Sequence, residues 1–185
     1  MALTSEQFEQ LTVLIVEDNP HTVGLLSRIL RSFGVRTIAT ATDGSDAFSV
    51  LRARAVDVII CDWNMRPLDG LRFVRLMRLS PDSPNPFVPI IMLTAHAEAN
   101  RVEEARDAGA NEFLAKPISP ATLLSRLTSV VLAPREFIKT KDYFGPDRRR
   151  QNRPFGGPER RRQGPKEMSA DVGEASADGT TRRTA

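Results

Sequence analysis

The sequence contains a single cysteine, Cys61, among its 185 residues. An internal disulfide is therefore excluded, and a reducing compartment is expected. The chain also lacks any apolar run of about 18 residues, the length that a membrane-spanning helix requires. Its N-terminal stretch has no basic residues ahead of the apolar part, so a secretory signal is not expected. These absences favour a globular protein of the cytoplasm.

Charge is unevenly distributed along the chain, although the formal net charge is only +3. Residues 1–134 carry 13 basic and 15 acidic side chains, whereas residues 135–166 carry 11 basic and 4 acidic ones. Residues 167–185 are rich in Ala, Ser, Thr and Gly. We therefore predict a nearly neutral domain at 10–133, a basic Arg/Gly/Pro tail at 134–166 and a disordered C-terminus after it.

Strand-like and helix-like segments alternate through the predicted domain. Five continuous apolar runs predict buried strands, at 11–17, 36–41, 57–61, 90–94 and 112–115. Five segments with apolar residues at helical spacing follow them, at 20–34, 44–54, 71–79, 97–110 and 119–132. Such alternation predicts an α/β fold, a doubly wound parallel sheet of five strands with helices on both faces.

Charged and hydroxyl side chains stand where the predicted strands end. The first strand runs into Glu17 and Asp18, and the third into Asp62. The fourth ends on Thr94, and the fifth is followed by Lys116. Ligands of open α/β sheets bind at the carboxyl ends of the strands, so these side chains should converge. Clustered carboxylates need a neutralising cation, and Mg²⁺ prefers oxygen ligands. The set indicates phosphoryl transfer through an aspartyl phosphate.

The segments VLIVEDN, VIICDWNM, IIMLTA and FLAKP resemble, in order and spacing, the receiver domain of two-component response regulators. The resemblance extends across roughly residues 10–133, and it implies a flavodoxin-like receiver fold with strand order 2-1-3-4-5. It also implies that Asp62 is the phospho-acceptor. The implied Mg²⁺ ligands are Glu17, Asp18, Asp62 and the backbone carbonyl of Asn64. The implied phosphoryl-contacting and switch residues are Thr94, Lys116 and Phe113.

The same resemblance implies a bacterial, cytoplasmic signalling protein that is not an enzyme. Its expected partners are a histidine kinase or histidine phosphotransferase, and an unidentified downstream protein. One position departs from the family pattern, because Arg66 stands where proline is usual and Pro67 follows it. The length of this loop is unchanged, so we expect the site to be preserved.

Three other functions compete with this interpretation. A flavodoxin-like FMN site shares the fold class, but it would need a Ser/Thr/Gly loop after the first strand, where the chain reads EDNPHT. An aspartate phosphatase would need a second acid two residues after Asp62, where Asn64 stands, and a cap domain. The third alternative is a phosphorylation-independent scaffold, which the intact set of charged residues argues against.

The basic tail contains two units of one pattern, YFGPDRRRQ at 143–151 and FGGPERRRQ at 155–163. Gly-Pro excludes a continuous helix and favours a turn. The tail is either a solvated basic segment or a docking element for an acidic protein, nucleic acid or an anionic membrane. We favour a protein partner, because no nucleic-acid-binding pattern such as a helix-turn-helix follows the domain. The residues expected to contact such a partner are Arg148, Arg149, Arg150, Arg160, Arg161 and Arg162.

Overall fold

The computed structural model describes residues 3–95, 99–140 and 143–148. These ranges contain six helices and seven strands. In chain order they are α1 (Ser5–Gln10), β1 (Thr12–Val16), α2 (Pro20–Ser32), β2 (Thr37–Ala41), α3 (Gly44–Ala53), β3 (Val58–Asp62), α4 (Gly70–Leu79), β4 (Ile90–Thr94), α5 (Ala99–Ala108), β5 (Glu112–Ala115), α6 (Pro120–Leu132), β6 (Phe137–Lys139) and β7 (Phe144–Pro146).

The first five strands form one parallel sheet in the order β2-β1-β3-β4-β5. This arrangement confirms the predicted fold class and strand order. Strands β3 and β4 are buried at every position, which explains why their sequences are continuously apolar rather than alternating. Strand order reverses beside β1, and the carboxyl edge at that point is where α/β sheets bind ligands.

Hydrophobic residues pack on both faces of the sheet. One core includes Phe73 and Met77 of α4, which lie against Ile59 of β3. The core on the opposite face includes Leu30 of α2 and Leu127 of α6. All five of these side chains are fully buried. Because both faces are covered, each strand is held rigidly, and the residue at its carboxyl end is held with it.

Local signals in the sequence place the ends of several helices. Asp43 is the N-cap of α3, and its carboxylate accepts hydrogen bonds from the backbone of Ser45 and Asp46. Gly34, just after α2, has a φ of 105°, a conformation that glycine adopts without strain. Pro120 occupies the first turn of α6, as predicted.

Helix α1 was not predicted from the sequence. It is short, and it begins with a capping box in which Thr4 and Gln7 exchange hydrogen bonds. Its one buried residue, Phe8, lies 5.8 Å from the ring of Phe33, measured between ring centroids. A single apolar residue gives no periodicity, so tertiary contact decides this helix.

Strands β6 and β7 form an antiparallel hairpin after α6. Its Phe137 and Phe144 pack with Phe87, which precedes β4, at centroid separations of 5.2–5.6 Å. The hairpin lies in the same compact unit as the sheet, Met1–Arg150. The boundaries predicted from the sequence, at 10–133, 134–166 and 167–185, stay predictions. Among the helices of the described ranges, none is long and apolar enough to cross a membrane.

The hairpin closes over a buried arginine of α4. Arg78 donates hydrogen bonds to the carbonyl oxygens of Gly109 (2.9 Å) and Pro86 (2.7 Å) and to the side-chain oxygen of Asn111 (3.0 Å). Its guanidinium carbon lies 5.2 Å from the ring centroid of Phe137. Burial lowers the pKa of Arg78 to about 9, because its three hydrogen-bond acceptors are neutral groups.

Candidate functional site

The carboxyl edge of the sheet brings together the charged residues of β1, β3 and β5. The ammonium of Lys116 lies 2.8 Å from Glu17 Oε2 and 2.8 Å from Asp62 Oδ1. Both carboxylates are buried, with Glu17 3% and Asp62 5% exposed. The predicted convergence of these three side chains is thus observed in the fold. One lysine bridges two carboxylates that would otherwise repel each other.

Backbone groups hold the remaining carboxylate oxygens. The amide of Asn64 donates to Asp62 Oδ2 at 3.0 Å, and the amide of Asn19 donates to Glu17 Oε1 at 3.3 Å. Strand pairing fixes the lysine in the same way, since the Lys116 amide donates to the Thr94 carbonyl at 2.8 Å. The geometry of the site therefore follows from the register of the sheet.

Burial and neighbouring charges shift the pKa values of Glu17 and Lys116. Burial raises the pKa of Glu17, and the charge of Asp62 adds to the rise, while Lys116 opposes it. Burial alone would lower the pKa of Lys116, but its hydrogen bonds to Asp62 and Glu17 outweigh this effect and raise the pKa. Lys116 is therefore a firmly protonated cation beside a carboxylate that is costly to ionise.

The other predicted site residues lie around this centre. Asp18 is exposed at the end of β1, and Asn64 is exposed in the loop after β3. Thr94 is buried, with 3% exposure. Together with Lys116 and the half-buried ring of Phe113, it lines a cavity of about 370 Å³. The side chains that the sequence assigns to phosphoryl contact and switching thus share one cavity.

The residues present suit Mg²⁺ by their chemistry. The available donors are carboxylate oxygens of Glu17, Asp18 and Asp62, and Lys116 already occupies a cation position between two of them. Within the described part of the chain, no group of three or more His, Cys, Asp or Glu side chains is arranged to hold a metal. Mg²⁺ commonly binds through one or two carboxylates and completes its shell with water, so a third acid is not required.

Sequence reasoning missed Gly70, which shapes the loop after β3. Its amide donates to the Trp63 carbonyl at 3.0 Å, and a Cβ at this position would overlap the carbonyl oxygen of Asp62. The available signal was the Asp-Gly pair at 69–70. Arg66, which departs from the family pattern, is exposed in this loop, and its bond to Pro67 is cis.

Of the six tail arginines predicted to contact a partner, only Arg148 is described. Its guanidinium lies 4.0 Å from the ring centroid of Tyr143 and 3.2 Å from Asp107 Oδ1. The other five, Arg149, Arg150, Arg160, Arg161 and Arg162, lie outside the described residues.

Comparisons with known proteins point to one family. The family model described as "Response regulator receiver domain" matches residues 13–128. Chemotaxis protein CheY-3 of Vibrio cholerae is 30% identical over 122 residues, which cover 66% of this chain and 92% of that protein. Chemotaxis protein CheY of Pseudomonas aeruginosa is 30% identical over 118 residues, or 64% of this chain and 94% of that protein.

Solved structures agree with these sequence matches. The CheY4 chemotaxis protein of Vibrio cholerae superposes with a TM-score of 0.60 at 35% identity, over 65% of this chain and 98% of its own. The receiver domain of the sensor histidine kinase PA1611 of Pseudomonas aeruginosa, which has magnesium in its active site cleft, superposes with a TM-score of 0.56 at 34% identity. That match covers 64% of this chain and 94% of the neighbour.

Proposed function

The chain belongs to the response regulator receiver domain family, and from this premise we propose that Asp62 accepts a phosphoryl group from a phosphohistidine donor. The observation that carries the proposal is the bridge from Lys116 to Asp62 at 2.8 Å, at the end of a fully buried strand. A rigid strand holds the nucleophile, and the adjacent cation is placed to receive the phosphoryl oxygens.

In the proposed reaction, a carboxylate oxygen of Asp62 attacks the phosphorus, the N–P bond to the donor imidazole breaks, and an acyl phosphate forms. Lys116 then pairs with a phosphoryl oxygen in place of a carboxylate, and the Thr94 hydroxyl donates to another. Asp18, Asp62 and the backbone carbonyl of Asn64 would hold Mg²⁺, with Glu17 completing the acidic pocket, and the ion would supply charge neutralisation for the carboxylates and the phosphoryl group. Phe113 lines the same cavity as Thr94 and Lys116, and its ring moves inward when Thr94 shifts.

Phosphorylation by a small phosphodonor tests this proposal. With acetyl phosphate and Mg²⁺, mass spectrometry of the intact protein should detect one added phosphoryl group. Asp62→Ala should abolish it, whereas Asp82→Ala, at an exposed loop aspartate, should leave it unchanged. Omitting Mg²⁺ should also prevent the modification. Phosphorylation that persists in Asp62→Ala would refute the assignment of the acceptor.

We further propose that the phosphorylated domain signals through protein–protein contacts as a cytoplasmic, non-enzymatic regulator. A histidine kinase or histidine phosphotransferase would be its donor, as expected for a receiver domain of two-component signalling. Among the structural neighbours is a CheX–CheY–BeF₃–Mg complex from Borrelia burgdorferi, with a TM-score of 0.58 and 30% identity over 65% of this chain and 88% of the neighbour. That neighbour is bound to another protein, which supports a protein partner for this chain.

For the tail, we propose docking on a downstream protein through the arginine repeat. Planar guanidiniums bind carboxylates bidentately, which lysine cannot reproduce. Replacing the six tail arginines with lysine should therefore weaken capture of the partner by the activated full chain, and the wild-type complex should persist from about 50 to about 200 mM salt. Capture that is indifferent to the replacement and collapses with salt would indicate general attraction to polyanions, as for nucleic acid or an anionic membrane.

A further inference from the structure

Phe113 also lines a second cavity, whose lining residues do not include Asp62, Thr94 or Lys116. Its volume is about 370 Å³, and it is bounded by α5, β5 and the segment that carries the hairpin. The lining residues that matter here are Val102, Arg106, Asn111, Phe113, Arg135 and Arg148. Three guanidinium groups therefore border a space whose other walls include an aliphatic side chain and an aromatic ring.

Ion pairs within the described residues join the arginines at and next to this cavity to shared carboxylates. Asp107 forms ion pairs with both Arg106, at 3.6 Å, and Arg148, at 3.2 Å. Glu112 forms ion pairs with both Arg126, at 3.3 Å, and Arg135, at 3.8 Å. In these pairs four guanidinium groups share two carboxylates. Arginines held in partly buried positions are normally matched by anions, so the arrangement favours an additional negative group.

One donor at this cavity lacks a hydrogen bond. The Nε of Arg106 is buried, and no acceptor within the described residues hydrogen-bonds to it. Its 3.6 Å separation from Asp107 Oδ1 is too long for a hydrogen bond. A buried N–H without an acceptor is unfavourable, so this guanidinium is not fully satisfied by the described residues.

We propose that this cavity binds a small organic anion, whose phosphate or carboxylate oxygens lie between Arg106, Arg135 and Arg148. The apolar part of the ligand packs on Val102 and Phe113, which explains why an organic anion fits better than an inorganic one. The site is separate from the Asp62 centre, and it uses two arginines, Arg106 and Arg135, that lie outside the tail repeat. A charged fork on three sides gives geometric selection, which a lysine patch would lack.

Binding of model anions to the full chain tests the proposal. Phenylphosphonate, benzoate and inorganic phosphate are titrated while the Nε–H resonance of Arg106 and the backbone amides of α5 are followed by NMR. The expected result is saturable binding of at least one aromatic anion with a shift of the Arg106 Nε–H, and weaker binding of inorganic phosphate. Comparing phenylphosphonate with benzoate identifies which oxyanion the site selects.

Variants separate this site from general attraction of anions. Arg106→Ala and Arg106→Lys should each weaken binding by roughly tenfold, because neither keeps the guanidinium fork. Arg28→Ala, at an exposed position of α2, should have no effect. Val102→Asp keeps every arginine and adds a competing carboxylate, so it should abolish binding even if the Arg106 variants fold poorly. Non-saturable binding, equal losses in Arg28→Ala and Arg106→Ala, or full binding by Val102→Asp would overturn the proposal.

Discussion

At the scale of single residues, Lys116 determines the charge arrangement of the proposed phosphorylation site. Its ammonium bridges Glu17 and Asp62 at 2.8 Å to each, and both acids are almost fully buried. Without a cation, two carboxylates held this close together would repel each other. The lysine therefore offsets the repulsion between Glu17 and Asp62.

Replacing Lys116 should remove a contact to the phosphoryl oxygens without weakening Mg²⁺ binding. Lys116→Ala leaves every carboxylate in place and removes a competing positive charge, so Mg²⁺ should bind at least as tightly as in the wild type. Asp18→Ala should instead weaken Mg²⁺ binding by roughly tenfold or more. The single tryptophan, Trp63, adjoins Asp62, and its fluorescence can report both titrations. Equal losses of Mg²⁺ affinity in the two variants would contradict these roles.

The single tyrosine, Tyr143, provides a pH test of hairpin docking. Burial raises its pKa above the ordinary value of 10.0, although Arg148 and other nearby arginines oppose the rise. The neutral phenol therefore stabilises the folded hairpin fully below pH 10.0, and this stability is lost as the pH rises through the higher folded pKa. Tyrosinate absorbance should titrate later in the native protein than in denaturant. Coincident curves would show that the ring is not buried.

At the scale of elements, the hairpin is held to the sheet domain by three kinds of contact. The aromatic cluster with Phe87 supplies apolar packing, Arg78 supplies a cation beneath Phe137, and Gly145 allows close backbone approach. A Cβ on Gly145 would lie 2.7 Å from the Tyr143 hydroxyl and 3.0 Å from Gly109 Cα. The hairpin therefore depends on a glycine–glycine contact with the end of α5.

Gly145→Ala should release the hairpin without unfolding the sheet. Overpacking of this kind costs about 1–3 kcal/mol, so trypsin should cleave after the exposed Lys139 roughly tenfold faster or more, if cleavage follows the open population. Gly24→Ala is the matched control, because a Cβ there meets nothing within 4 Å. It should leave cleavage unchanged and raise helix stability slightly. Unchanged cleavage of Gly145→Ala would show that the contact is dispensable.

At the scale of the whole molecule, β5 joins the proposed phosphorylation site to the surface that carries the hairpin. Its carboxyl end leads into Lys116, and its first residue, Glu112, pairs with Arg126 of α6 and with Arg135 before the hairpin. Phe113 between them lines both cavities. A displacement of β5 would therefore alter both the Asp62 site and the surface that carries the hairpin, because packed cores switch between discrete arrangements.

Activation should accordingly perturb one side of the molecule. Beryllofluoride with Mg²⁺ mimics the phosphorylated aspartate, and backbone amide shifts should concentrate in α5, β5, α6 and the hairpin. Residues 20–55 should shift little, and Asp62→Ala should suppress the response as the control. Amide shifts confined to residues 20–55 would count against a signal transmitted through β5.

The amino-acid sequence by itself determined that a parallel sheet forms and which charged side chains lie at its carboxyl edge. Apolar runs marked the strands, and parallel strands place their carboxyl ends together, so the convergence of Glu17, Asp62 and Lys116 was predictable. Local cap residues such as Asp43 placed helix ends, because their hydrogen bonds span only a few residues. These features depend on neighbours along the chain or on a repeating pattern.

Only the tertiary structure decided how the site and the hairpin are held. The bridge of Lys116 to two carboxylates and the docking of the hairpin over Arg78 both join residues far apart in sequence. The position of helix α1 likewise involves a tertiary contact, between Phe8 and Phe33. No local propensity encodes such pairings, because their free energy arises from burial and charge when distant segments meet.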